Sequence, residues 1–148
     1  MVPMIRILYL PPEKWKLIPD LPFILDGGFE ISNHGRVRRV NTGHIVQGGM
    51  RGNGEGWKRV SLTVETKVTK EERGHRKAPI VRTSVFPHRM VYRLFGPPIP
   101  HNHHLYHING CRDDNYIWNL ATTSKREHRR RVARLKKEGK YYHRRGPI

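Results

Sequence analysis

Cysteine is almost missing from this chain: Cys111 is the only one in 148 residues. A lone thiol excludes an intramolecular disulfide and any zinc site built from clustered cysteines, and it suits a reducing compartment. Acidic residues are scarce too, 12 Asp and Glu against 29 Lys and Arg, which leaves a formal charge of +17. A surplus of that size points to a polyanionic partner, most simply nucleic acid. Long apolar runs are also lacking. No stretch approaches the roughly 20 residues that cross a bilayer. The short apolar run Ile5-Arg6-Ile7-Leu8-Tyr9-Leu10 lacks a small-residue cleavage site and meets Pro11-Pro12, so it does not read as a signal peptide. A cytoplasmic protein without a membrane partner is the expectation, and the length allows one ordinary domain or two small modules.

What the chain does have is unevenly placed. Residues 124–148 hold eleven Lys and Arg and two Glu, over half of the net charge, and the last eight read as a solvated basic tail. Phe29 and Ile31 alternate with polar residues, Ser32-Asn33-His34-Gly35 supplies a turn, and Val37 resumes the pattern, which predicts a β-hairpin. Arg36, Arg38 and Arg39 then lie where a strand face can meet phosphate. Residues 48–56 read as a flexible loop, 57–64 alternate as a strand, 65–77 form a charged connection, and 80–86 are a further strand. Pro87-His88 starts a helix whose Met90, Val91, Leu94 and Phe95 share a face, and Gly96-Pro97-Pro98 stops it. Ser124 and Glu127 form a capping box that opens a second helix. His128, Val132 and Leu135 lie on one stripe of it, and Arg126, Arg129, Arg130, Arg131 and Arg134 are expected to contact nucleic acid.

The residues with chemical potential fall in one stretch. His107-Ile108-Asn109-Gly110 is followed by Asn119-Leu120 twelve residues after the histidine, and by His128 nine further on. That order and spacing resemble the nuclease core of the HNH family. The segment Gly28-Phe29-Glu30-Ile31-Ser32-Asn33-His34-Gly35-Arg36-Val37 resembles the small module found ahead of phage-type HNH homing endonucleases, with Phe29 in place of a tyrosine. Together the two likenesses cover most of residues 15–129.

The resemblance implies an α+β chain: an arm (1–14), a β-rich nuclease-associated module (15–79), a ββα-metal core (80–130), and the end of a basic helix with a tail (131–148). It implies a DNA endonuclease in which His107 is the general base, Asn119 orients that imidazole or braces the loop, and His128 holds one divalent metal. Magnesium is the first expectation, with manganese, nickel or zinc compatible with a histidine ligand. Tyr106 departs from the pattern, because the family usually has Asp, Asn or His there as a second ligand. A phenol is a poor ligand at neutral pH. Three alternatives stand: Tyr106 coordinates as phenolate, His104 substitutes from the same strand face, or the metal binds weakly. The last would leave a slow enzyme or an inactive DNA-binding protein of the same fold. His88 reads as structural, and Asp113 and Asp114 as turn formers or partners of Arg112.

Overall fold

The computed structural model describes residues 11–21, 27–50, 58–65, 74 and 80–139. Most of the expected arm and the basic tail from 140 onward lie outside the described residues, as do parts of the 48–56 loop and the 65–77 connection. The described chain is α+β, with small antiparallel sheets and two helices. Strands β1 (Trp15–Leu17), β2 (Phe29–Ser32), β3 (Val37–Arg39) and β4 (Ile45–Val46) form one sheet in that order. Strands β5 (Gly49–Met50), β6 (Lys58–Glu65) and β7 (Ile80–Val85) form a second. Helix α1 (Pro87–Phe95) follows, then the hairpin of β8 (His103–His107) and β9 (Leu120–Ser124), and helix α2 (Lys125–Lys137).

Alternation along the strands builds the core. Phe29 and Ile31 point inward from β2, while Glu30 between them pairs with Arg38 on β3. Val37, Val60, Leu62 and Val85 add the inner faces of β3, β6 and β7; Val91 and Tyr92 add one face of α1, and Leu120 adds β9. Each such side chain contributes roughly 1.5–3 kcal/mol by leaving water. The expected boundary at 79/80 falls in the connection between β6 and β7, which pair from Val60↔Val85 to Glu65↔Ile80. The buried cluster therefore takes residues from both sides of it.

Both helices begin and end for local reasons. Pro87 occupies the first turn of α1, and the Gly96 N–H caps Tyr92 O at 2.9 Å just before Pro97-Pro98. The Oγ of Ser124 accepts the Glu127 N–H at 3.2 Å, starting α2. The stripe of α2 is less covered than its periodicity predicts. His128, Val132 and Leu135 are only half-buried and no residue of α2 is fully buried, because the helix packs on a hairpin of just two strands.

The turn between β2 and β3 is tied down from several directions. Ser32 Oγ accepts the N–H groups of His34 and Arg36, each at 3.2 Å. Asn33 is buried, and its Oδ1 accepts the Lys14 N–H at 2.8 Å. Its own carbonyl accepts the Ile117 N–H at 2.9 Å, so this N-terminal turn grips the loop between β8 and β9.

Candidate active site

His107 ends β8, opposite Leu120 on β9, and is 4% exposed. Its Nε2 lies 2.8 Å from Oδ1 of Asn115. The Asn115 amide also donates through Nδ2 to Asp113 O at 3.3 Å, which sets its orientation. Since Oδ1 can only accept, the proton sits on Nε2 and the lone pair on Nδ1. Burial pushes the His107 imidazole below its usual range, with the Asn115 hydrogen bond opposing. His107 is therefore neutral near pH 7 and holds a basic nitrogen.

Asn119 uses its side chain elsewhere. Its Oδ1 accepts the Asn109 N–H at 3.0 Å, and its Nδ2 donates to Asn109 Oδ1 at 2.9 Å and to Asp114 O at 2.8 Å. Asn109 completes the clamp by donating to Asp114 Oδ2 at 2.8 Å and accepting the Cys111 N–H at 2.8 Å. Asn119 thus sits as a brace of the 107–119 loop, while the side chain on His107 is Asn115. Sequence reading passed over Asn115. Its only signal there is its place eight residues after His107, among polar loop residues; its 2% exposure belongs to the tertiary structure.

The loop rests on the β2–β3 turn. A Cβ added to Gly35 would lie 2.7 Å from Asn115 Cβ, and Gly35 has φ +82°. The His34 and Tyr116 rings meet edge to face with centroids 4.7 Å apart. Asp113, expected near Arg112, pairs with Lys58 of β6 at 2.9 Å.

His88, which reads as structural in the sequence, packs its ring 5.6 Å from that of His107 and is 3% exposed. Burial, then the nearby His107, push its imidazole down to about 3. The unfolded chain takes up that proton near pH 6.5 and the folded chain does not. Stability is therefore whole above about pH 6.5 and falls as pH drops toward 3, by about 1.4 kcal/mol per unit from this group. Urea midpoints measured at pH 7.5, 6 and 5 should fall steadily. They should fall less steeply for His88→Gln, and equal slopes would show that His88 titrates freely in the folded protein.

The α2 side of β8 carries other residues. The rings of His104 and His128 stack with centroids 5.3 Å apart and planes at 30°. The Arg131 guanidinium lies 4.4 Å from the Tyr106 ring centroid and also donates to Ile108 O. Burial, then His104, lower the His128 pKa, and His128 Nδ1 is buried without a hydrogen-bond partner. A neutral imidazole with an unused nitrogen is a fit donor for a divalent ion. His88, Arg89, Arg93, His103, His104 and His128 all border one cleft of about 860 Å³. Among the described residues no group of three or more His, Cys, Asp or Glu forms a protein-only cage.

The arginines divide into two sets. Arg36 pairs with Glu13 and Arg38 with Glu30, and both guanidinium groups lie over Trp15, at 5.7 and 4.0 Å. Arg39 donates to Thr63 O at 3.3 Å. Arg126 and Arg129 stand exposed on α2, whereas Arg130 and Arg134 lie 3.8 and 4.0 Å from Glu127 and Glu138. No helix among the described residues is long and apolar enough to cross a membrane.

Residues 85–130 match the model of the family described as HNH endonuclease. The fold is similar to that of the HNH homing endonuclease I-HmuI, whose structure is described as showing DNA binding and cleavage. That likeness has a TM-score of 0.56 at 20% identity and covers 86% of this chain and 60% of that one, so this chain spans less than two thirds of the relative. No curated protein matches the sequence.

Proposed function

We propose that this protein is a metal-dependent DNA endonuclease that hydrolyses phosphodiester bonds with His107 as general base. The observation that carries the reading is the His107–Asn115 pair in the Asn119-braced loop. A base must offer a lone pair in a fixed direction, and Asn115 achieves this by holding the proton on Nε2. Nδ1 then takes the proton of the attacking water. Asn119 keeps the 107–119 loop from drifting, which matters because small misplacements of a reacting group are costly. Burial in the core holds the imidazole neutral until that transfer. His128 would hold the ion, which when bound stabilises charge on the scissile phosphate and the departing oxygen. The exposed cations of α2 would hold the DNA backbone.

Cleavage of supercoiled plasmid across magnesium, manganese, nickel and zinc, with chelator as control, tests this reading. Cutting that depends on an added ion supports it. Tight DNA binding with intact plasmid under every ion would replace it with a non-catalytic DNA-binding protein, the reading that Tyr106 permits.

The ion pairs around the arginines lead to a second expectation. Arg126→Ala with Arg129→Ala should weaken duplex binding and reduce the slope of log affinity against log salt by about one to two. The pair Arg36→Ala and Arg38→Ala should change that slope less, because Glu13 and Glu30 already offset those charges. Anisotropy titrations at several salt concentrations measure both. Equal effects from the two pairs would place the β2–β3 face on DNA as well.

A further inference from the structure

We propose that the divalent ion of this protein is held by the imidazoles of His104 and His128, not by Tyr106, and that the site takes a borderline transition-metal ion in preference to magnesium. The inference rests on the nuclease reading above and deepens it. Three separate observations meet at this place.

The first is adjacency. The register of β8 and β9 puts His104 opposite Thr123, and the start of α2 brings His128 back over it with the rings 5.3 Å apart. His104 is exposed, so its ring can turn toward a shared ion without disturbing the core. The second is an unused donor. His128 Nδ1 is buried and has no hydrogen-bond partner, an arrangement that costs free energy unless something occupies it. The third is the state of Tyr106. A guanidinium already lies on its ring and reaches the next carbonyl but one, Ile108 O. Tyr106 is thus engaged with Arg131 and offers only a phenol, a poor ligand for a divalent ion at neutral pH.

The donor set then decides the ion. Two imidazole ligands suit zinc, nickel, copper or manganese, whereas magnesium prefers oxygen ligands in a strict octahedron. With no larger cage among the described residues, the remaining positions fall to water and to phosphate oxygens. The cleft beside the pair is lined by Arg89, which suits a phosphate-bearing strand, and by Arg93, which pairs with Asp20.

The test is Ni²⁺ binding to the full chain by calorimetry, without DNA, together with imidazole NMR during Zn²⁺ addition. His104→Ala and His128→Ala should each weaken Ni²⁺ binding by more than about tenfold. Tyr106→Phe should leave it unchanged, and millimolar Mg²⁺ should fail to displace the ion. The His104 and His128 resonances should move together at one equivalent of zinc. His104 is exposed, and circular dichroism of its variant checks that it folds. Wild-type Ni²⁺ affinity in His104→Ala, loss of binding in Tyr106→Phe, or ready displacement by Mg²⁺ would each overturn the proposal. The two readings fail separately. Plasmid cutting with Ni²⁺ binding indifferent to His104 removes this site and leaves the nuclease; Ni²⁺ held by the pair with plasmid intact under every ion removes the nuclease and leaves the site.

Discussion

His107→Ala is expected to lower plasmid cleavage on the order of 10²–10⁴-fold or more, while duplex affinity should stay close to wild type. Proton transfer by a positioned base contributes about that much. It acts on the transition state and not on ground-state binding. Affinity, by contrast, comes mainly from Lys and Arg on phosphate, and His107 is 4% exposed and faces Asn115 and His88. His107→Gln separates loss of the base from loss of packing, since it fills much of the space without a comparable basic nitrogen. A purified His107→Ala protein that cut at the wild-type rate would remove His107 from the chemistry.

Gly35→Ala is expected to damage cleavage almost as severely, although residue 35 lies 72 positions from His107. The new methyl would stand 2.7 Å from Asn115 Cβ and 3.1 Å from Asn115 O, on a backbone at φ +82°. Left-handed backbone costs a non-glycine residue roughly 1–2 kcal/mol. The contact adds to that cost unless Asn115 moves. If Asn115 moves, its Oδ1 leaves His107 Nε2 and the imidazole loses its fixed tautomer. A displacement near 1 Å can cost on the order of 100-fold in rate. We expect a rate loss of that order, a lower urea midpoint and little change in DNA affinity. Asn115→Ala breaks the same hydrogen bond without touching Gly35, and it should show the same rate loss and a mixed His107 tautomer by NMR. A Gly35→Ala protein with wild-type rate would show that the loop yields without disturbing the base.

These variants also mark what can be read from residues in a row. The alternation of Phe29 and Ile31, the turn at Ser32-Asn33-His34-Gly35, Pro87 before an apolar face and Ser124 before Glu127 are local patterns, and each element forms where its pattern places it. Local capping and periodicity act within a few residues, so they survive in one dimension. The stripe of α2 was legible as a direction but not as a depth, because burial depends on how many strands lie beneath the helix. Asn115 was missed, and the contact of the structurally read His88 with His107 was not foreseen, for a related reason. An asparagine in a polar loop and a histidine at a helix start look ordinary until a distant segment covers them.

By itself the sequence determined the α+β class, the basic surface and the HNH-like order of His107, Asn119 and His128, since composition and spacing are carried by the chain directly. Tertiary structure alone decided how the parts are employed. It put Asn115 rather than Asn119 on His107, set His88 beside it, and seated the loop on Gly35. It also turned His104 toward His128 while Arg131 covered Tyr106. A hydrogen bond, a ring contact and a missing Cβ act over a few ångströms of space, and folding brings those ångströms together from residues up to 80 positions apart.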